Sequence, residues 1–370
     1  MNNQQSDYFV PDFIDDTIQC MKFVPVQNNN FLATGGWDNK LRIFNINCQI
    51  INNTINFEEA KITSNLQFGY QHSSPILSLS WEDLTGRIYT GCADGSINVV
   101  DMQKNSSNII GQHKNGCKEV IYHSKYGILI TGGWDGVVNI FDLRSQGPVC
   151  SYNFNNKVYS MSCVNDLLVV GLSEMFISYF NLQKLRNKIF EPELTFSSHL
   201  KYQTRKVCVF NDGKGFAEAS IEGRVAIKNI PDINIKPMIN QETKTIQGKD
   251  SMGKDDFAFR CHRDTKQNPV LVYSVNDIAF NPVYGTFCTV GSDGLYTIWD
   301  KNNRTRLYER CFPNGQVDKM PLTGCDYNFD GTLLAFGAGY DWHLGAEGCK
   351  QYPNGGKVGI HFLTSGQRKK

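Results

Sequence analysis

Two histidine–carboxylate spacings are the first features with chemical content: His72 precedes Asp94 by 22 residues, and His113 precedes Asp135 by the same 22. His199 and Glu222, 23 apart, look like a third copy. An imidazole beside a carboxylate is either half of a general-base relay or a lock in which a buried charge is paired and a turn held in place. A metal-ligand reading of His113, Cys117 and His123 is weaker, because Cys117 and His123 flank one predicted strand and His113 is already assigned to Asp135. Neighbouring acids such as Asp15 and Asp16, or Glu58 and Glu59, carry no sign of burial and read as solvated loops. No HExxH, GxSxG, Walker-type or paired zinc-ligand spacing occurs. The expectation is therefore no catalytic residue, no metal, no cofactor and no enzyme. Aromatic and arginine anchors, which concentrate binding energy in interfaces, are the better leads. Trp37 and Trp134 stand directly before a turn aspartate. Each either meets a ligand or caps its own structural unit, and for Trp134 the two readings weigh equally.

The elements that must carry these residues follow from self-similarity. Six 12-residue segments align without gaps, starting at Gly35, Gly91, Gly132, Gly171, Ala219 and Val290 (GGWDNKLRIFNI is the first), and a degenerate seventh, GAGYDWHLGAEG, starts at Gly337. The fourth position is acidic in all six: Asp38, Asp94, Asp135, Glu174, Glu222 and Asp293. Positions seven and nine are apolar with a varied residue between them, a period-2 strand following a Gly/Asp turn. A short apolar strand precedes each turn and another lies further upstream, so three strands per unit are visible and a variable fourth is expected. The acidic positions are 56, 41, 39, 48 and 71 residues apart. These values cluster near the roughly 40 to 45 residues of a propeller blade, with insertions supplying the excess. The fold expected is all-β: one seven-bladed β-propeller of WD repeats over residues 1–370, in which the histidine–carboxylate pairs lock turns. Open sheet edges invite aggregation, so the segment Ser6 to Phe13 is expected to add the outer strand of the last blade and close the ring. Residues 231–256 lack periodicity and read as an insertion loop; 365–370 read as a short, frayed basic tail.

Composition sets outer bounds. Hydrophobic residues make up 41%, aromatics 12% and charged residues 20%, a mixture able to build a core. Lys and Arg total 37 against 36 Asp and Glu, so any polyanion site must be a local patch. The 12 cysteines include no CxxC pair and follow no signal peptide, and they read as reduced, buried small residues of a nucleocytoplasmic protein. No apolar run long enough to span a membrane occurs, so no membrane insertion is expected.

The stretches QTRKVCVF (203–210), IEGRVAI (221–227), FAFRCHR (257–263) and VNDIAF…GSDGLYTIWDKNNRTRL (275–307) closely resemble the Rae/Gle-type propellers of nuclear-pore messenger-RNA export. The sister family, the Bub-type spindle-checkpoint propellers, shares EGRVAI, the CHR segment and GSDG, whereas YDWHLGAEG (340–348) favours the export branch. The 231–256 loop and Arg260, where the family commonly has Lys, depart from the pattern. The resemblance implies a scaffold in the nucleus, at the nuclear envelope and its pores, and also in the cytoplasm. Its implied partner is a short acidic segment of a Phe-Gly-repeat nucleoporin, or checkpoint kinases in the sister role. The residues meeting that segment would be Arg205, Arg224 and Arg260, with Trp37 packing nearby. Arg224 lies two residues past Glu222, so it either grips a partner carboxylate or closes an internal salt bridge. The resemblance further implies a basic, aromatic groove for single-stranded RNA at Phe259, Trp299, Lys301 and Arg304. Packing alone also accounts for Trp299, since other blades carry Phe or Val at its position.

Overall fold

A computed structural model describes the chain except for residues 1–6, 13, 55–56, 84, 231–244, 250–254, 313–318, 351, 353–354 and 370. It is a seven-bladed β-propeller of antiparallel sheets, and among the described residues helix is confined to short 3-10 turns. Blade one comprises Ile18–Phe23, Phe31–Gly36, Lys40–Thr54 and Phe57–Gln71; blade two Ile76–Trp81, Arg87–Cys92, Ser96–Asp101 and Ser106–Gln112. Blade three runs Cys117–His123, Ile128–Gly133, Val137–Asp142 and Pro148–Asn153; blade four Val158–Val164, Leu167–Leu172, Phe176–Asn181 and Leu194–Ser197. Blade five holds Thr204–Val209, Gly215–Ser220, Arg224–Asn229 and Phe257–Arg260; blade six Val275–Phe280, Thr286–Gly291, Leu295–Asp300 and Thr305–Cys311. Blade seven pairs Leu322–Tyr327, Leu333–Ala338 and Lys357–Phe362 with the N-terminal Tyr8–Phe9.

The repeat is written into the backbone of the turns. The residue after each turn acid adopts a left-handed conformation: Asn39 (φ 63°), Gly95 (88°), Gly136 (82°), Met175 (63°), Gly223 (63°), Gly294 (72°) and Trp342 (62°). Glycine and asparagine enter that region at low cost, which is why five of the seven positions carry them. The seventh turn acid is thus Asp341, one residue later than the alignment from Gly337 places it. Its carboxylate takes the His343 ring at 2.6 Å and the Ser292 hydroxyl.

Two compact units divide the chain, residues 1–87, 102–105 and 277–370 forming the first and residues 88–101 and 106–276 the second. In the first unit, Tyr8 sits opposite Ile360 and Phe9 opposite Gly359, and Val10 N–H donates to Val358 O at 3.0 Å. Ser6 and Phe13, the ends of the expected closing segment, lie outside the described residues. Just ahead of this strand the buried Asp7 carboxylate gathers three donors: His361 Nδ1 at 2.8 Å, the Tyr296 hydroxyl at 3.0 Å and Arg310 at 3.3 Å. His361 Nε2 in turn meets Gln367 Oε1 at 3.0 Å, and that oxygen also accepts the Thr364 N–H. The C-terminal segment is therefore not frayed as expected: Ser365–Gln367 forms a 3-10 turn with Gln367 buried, because its side-chain oxygen accepts the Thr364 N–H and lies against the His361 ring.

The excess spacing in blade one is a hairpin arm. Its last two strands run 15 residues each, pairing from Lys40 opposite Gln71 out to Thr54 opposite Phe57. Alternate arm residues Phe44, Ile46, Ala60 and Ile62 are buried in a cluster with Val10, Ile14, Val358 and Ile360, and Ser64 N–H donates to the Tyr8 hydroxyl at 3.0 Å. The arm thereby lies over the N-terminal strand.

In the second unit, part of the expected 231–256 loop is a strand. Thr245–Lys249 pairs in parallel with Leu194–Ser197, giving blade four a fifth strand, with Thr195 opposite Thr245. A strand added to a sheet edge needs only backbone pairing, so the sequence TIQGK carries no alternation to announce it. Residues 231–244 and 250–254 of that loop lie outside the described residues. Asp256 ends it by accepting the Asn229 backbone N–H at 2.8 Å.

Candidate functional site

The turn locks are built from the second strand outward. In blade three His113 Nδ1 lies 3.0 and 3.1 Å from the two Asp135 oxygens, and its Nε2 lies 2.9 Å from the Thr131 hydroxyl. A carboxylate only accepts, so Nδ1 carries the proton. Asp135 also takes the backbone N–H of Lys114 and Val137, fixing the loop before the blade and the turn within it. The three residues read as a weak metal set do not meet. His123 lies at the far end of the seven-residue strand that follows His113, with Nε2 on Asn165 O, and Cys117 Sγ points to Glu119 O. Among the described residues no cluster of three or more His, Cys, Asp or Glu side chains is arranged to hold a metal ion. In blade two Asp94 accepts the backbone N–H and the hydroxyl of Ser96, at 3.0 and 2.7 Å. His72, in the first unit, is buried, with its ring edge-on to Tyr70. Blade one lacks the histidine, and Arg42 reaches the buried Asp38 at 2.6 Å instead.

Blade five breaks the pattern, and the expected His199–Glu222 pair does not form there. Glu218 occupies the slot that holds Thr131 in blade three, and its buried carboxylate accepts the hydroxyls of Ser198 and Thr204. Burial pushes this carboxyl above the usual carboxylate range, against the opposing pull of those two hydroxyls and of Lys228. Lys228 stands where most other blades carry a large apolar residue; its ammonium lies over the Phe196 ring and 3.2 Å from His199 Nε2. With the acid moved into the strand, the Glu222 carboxylate at the turn meets Arg224 and not His199. Arg224 Nε is 3.2 Å from Glu222 Oε1, an ion pair by distance whose angle forms no hydrogen bond. The internal salt bridge held open by the sequence is thus present.

Strand register brings three arginines to one end of this sheet. Thr204 pairs with Ser220, Ser220 with Arg224, and Arg224 with Arg260. A bulge between Thr204 and Lys206 leaves Arg205 outside the ladder at the same end. Arg205 and Arg260 are exposed, and neither makes a hydrogen bond or ion pair with another described residue. Directly opposed Arg224 and Arg260 project to the same face of the sheet, where like charges oppose each other and Glu222 offsets only Arg224 among the described residues. Arg263, which the sequence reading did not single out, pins the turn beneath them: its guanidinium donates to Glu222 O at 2.8 Å and to Gly223 O at 3.4 Å. Gly223 admits no other residue, since a Cβ there would meet the carbonyls of Cys261, Tyr273 and His262 within 2.6 to 3.2 Å.

Of the remaining candidates, Trp37 belongs to the first unit, where it is 43% exposed and donates its indole N–H to Gln19 Oε1 at 3.1 Å. Trp134 packs its ring onto Gly116 in the loop entering its own blade, which decides between its two readings in favour of capping. Trp299 is committed to its blade as well, with Nε1 donating to Thr289 at 2.9 Å. Lys301 and Arg304 flank the turn that follows it; Asp300 holds that turn by accepting Asn303 N–H at 3.0 Å. Phe259, in the second unit, is half-buried opposite Val225 beside Phe257.

Comparison with known proteins agrees with the fold. The WD domain, G-beta repeat model matches residues 15–45 and 64–101. Among full-length relatives, the poly(A)+ RNA export protein of Schizosaccharomyces pombe is 33% identical over 96% of this chain and 90% of its own. The mRNA export factor GLE2 of Chaetomium thermophilum is 32% identical over the same shares. The mitotic checkpoint protein bub3 of Dictyostelium discoideum is 29% identical over 95% of this chain and 92% of its own. With identity of this order across nearly the whole length and the blade structure to match, the chain belongs to the family of WD-repeat messenger-RNA export factors, to which the checkpoint propellers are the sister branch.

Proposed function

We propose that the chain is a non-enzymatic scaffold of messenger-RNA export, held at the nuclear pore by a short acidic segment of a Phe-Gly-repeat nucleoporin that docks on Arg205, Arg224 and Arg260. The names of the relatives support the export role. One observation carries the docking site: two exposed arginines, without an ion-pair partner among the described residues, flank a third at one end of blade five, in a chain whose net charge is only +1. Guanidinium groups suit carboxylates because the planar fork makes two parallel hydrogen bonds. Arg224 contributes by exchanging Glu222 for a partner carboxylate. Fluorescence anisotropy with the labelled nucleoporin segment tests this. Arg260→Glu lowers affinity at least tenfold, about 1.4 kcal/mol, and unchanged affinity would refute the site.

A contact with single-stranded RNA through Trp299, Lys301 and Arg304 of the first unit is a further part of the reading. It predicts weak, salt-sensitive binding of oligoadenylate that Lys301→Glu abolishes. The checkpoint relative supports a second reading, an adaptor for checkpoint kinases at kinetochores. A tagged chain at the nuclear rim in interphase favours export, whereas signal confined to kinetochores favours the checkpoint.

A further inference from the structure

Between blades five and six the chain makes a small ribbon, Arg263–Asp264 paired with Leu271–Val272. Its tip presents three consecutive apolar residues, Val270, Leu271 and Val272, each 43 to 46% exposed. A single exposed aliphatic needs no explanation, but an uninterrupted run on a held scaffold marks a contact surface. The ribbon is held: Arg263 bonds the Glu222–Gly223 turn, and Tyr273 N–H donates to His262 O at 3.0 Å. Two further exposed apolar residues, Ile221 and Tyr202, sit in adjoining loops of the same sheet end, where Ile221 N–H donates to Gln203 O at 3.1 Å. Arg205, Arg224 and Arg260 therefore adjoin apolar ground at the end of one sheet.

We infer that the ribbon is the second half of the docking surface, so that the segment recognised is not merely acidic: it carries a large aliphatic or aromatic residue next to its glutamates, and that residue packs on one face of the ribbon's apolar run. The inference rests on the proposed reading of the arginines as a carboxylate site. Charge complementarity fixes the acidic part of the occupant, and the ribbon's direct continuation from Arg260 fixes the apolar part. Arg260 and Arg263 are three residues apart, at most about 10 Å along an extended chain. An extended partner thus places its apolar residue about three positions from the carboxylate that meets Arg260.

Two fluorescein-labelled peptides test the inference: the acidic nucleoporin segment, and the same segment with its large apolar residues replaced by serine. They are titrated against the wild-type chain, Leu271→Ser/Val272→Ser and Arg260→Glu, each checked for native circular dichroism. The inference predicts that the ribbon variant binds the unmodified segment about tenfold more weakly and binds the serine segment as the wild type does. A ribbon variant that keeps full affinity, while Arg260→Glu loses it, overturns the inference and leaves the arginine site standing. Full affinity in both variants removes the arginine site and the inference together. If the ribbon variant instead abolishes self-association in sedimentation with peptide affinity intact, the ribbon's occupant is a second copy of the chain and the inference fails.

Discussion

Replacing Asp7 by Asn keeps the size of the side chain and removes its charge, and the structure allows the cost to be worked out. The carboxylate is buried, and His361, Tyr296 and Arg310 all converge on Oδ1. Arg310, only 11% exposed at its side chain, also reaches the Tyr308 hydroxyl at 3.4 Å, so neutralising Asp7 removes the balancing charge of a largely buried cation without removing all its partners. A hydrogen bond to a charged group contributes about 1.5 to 3 kcal/mol, and stranding a buried charge by removing its partner costs about 3 to 5 kcal/mol. The asparagine oxygen still accepts one donor, which puts the expected loss at about 2 to 4 kcal/mol. In urea, followed by tryptophan fluorescence, the midpoint falls while the slope stays the same. Limited proteolysis should cut the segment around Tyr8–Phe9 earlier than in the wild type, because that strand loses its anchor. Asp7→Asn combined with Arg310→Leu should recover part of the loss, since the second change removes the cation whose charge Asp7 balances. A midpoint within error of the wild type, or a double variant whose losses simply add, would refute this account of the cluster.

Three further outcomes follow from the blade locks. His113→Ala should cost about 2 to 3 kcal/mol in chemical unfolding, because Asp135 loses a charge-assisted donor and the Thr131 hydroxyl its ring partner. Trp299→Phe keeps a ring in the slot but removes the indole N–H bond to the Thr289 hydroxyl, so about 1 kcal/mol should be lost, with no fold change by circular dichroism. Glu218 has a folded-state pKa raised by burial, so its contribution to stability is fully present below the unfolded-state carboxylate value and is lost as pH rises through the folded value. Glu218→Gln, neutral at every pH, should therefore flatten the fall of the urea midpoint as pH rises above the unfolded-state carboxylate value, and raise the midpoint once the wild-type carboxyl is ionised.

The blades could be read in the sequence because each repeats a local instruction: an acid, a left-handed residue, then alternating apolar positions. Departures from the repeat were harder to read. Lys228 stands where Phe44, Phe141, Phe180 and Trp299 stand in other blades, and Glu218 where threonines do, so the signal for the rearranged fifth blade was present at two aligned positions. The alignment attended to the turn acid instead and paired Glu222 with His199. The strand at 245–249 left no trace, because its partner lies 50 residues away and only backbone groups join them. The arginines were reached through family resemblance. What brings Arg205 beside Arg224 and Arg260 is a bulge and a strand register, neither of which has a signature in side-chain pattern.

The pairing of Tyr8 with Ile360 also sets a timetable for biosynthesis. At translation rates of roughly 5 to 20 residues per second, the first strand leaves the ribosome roughly 20 to 70 s before its partner exists. Throughout that interval the nascent chain exposes a lone apolar strand, and the hairpin arm that rests on it has nothing yet to cover. Contacts so distant in sequence are slow to form and prone to mispairing. Closure of this blade therefore waits until the strand around Ile360 has been made.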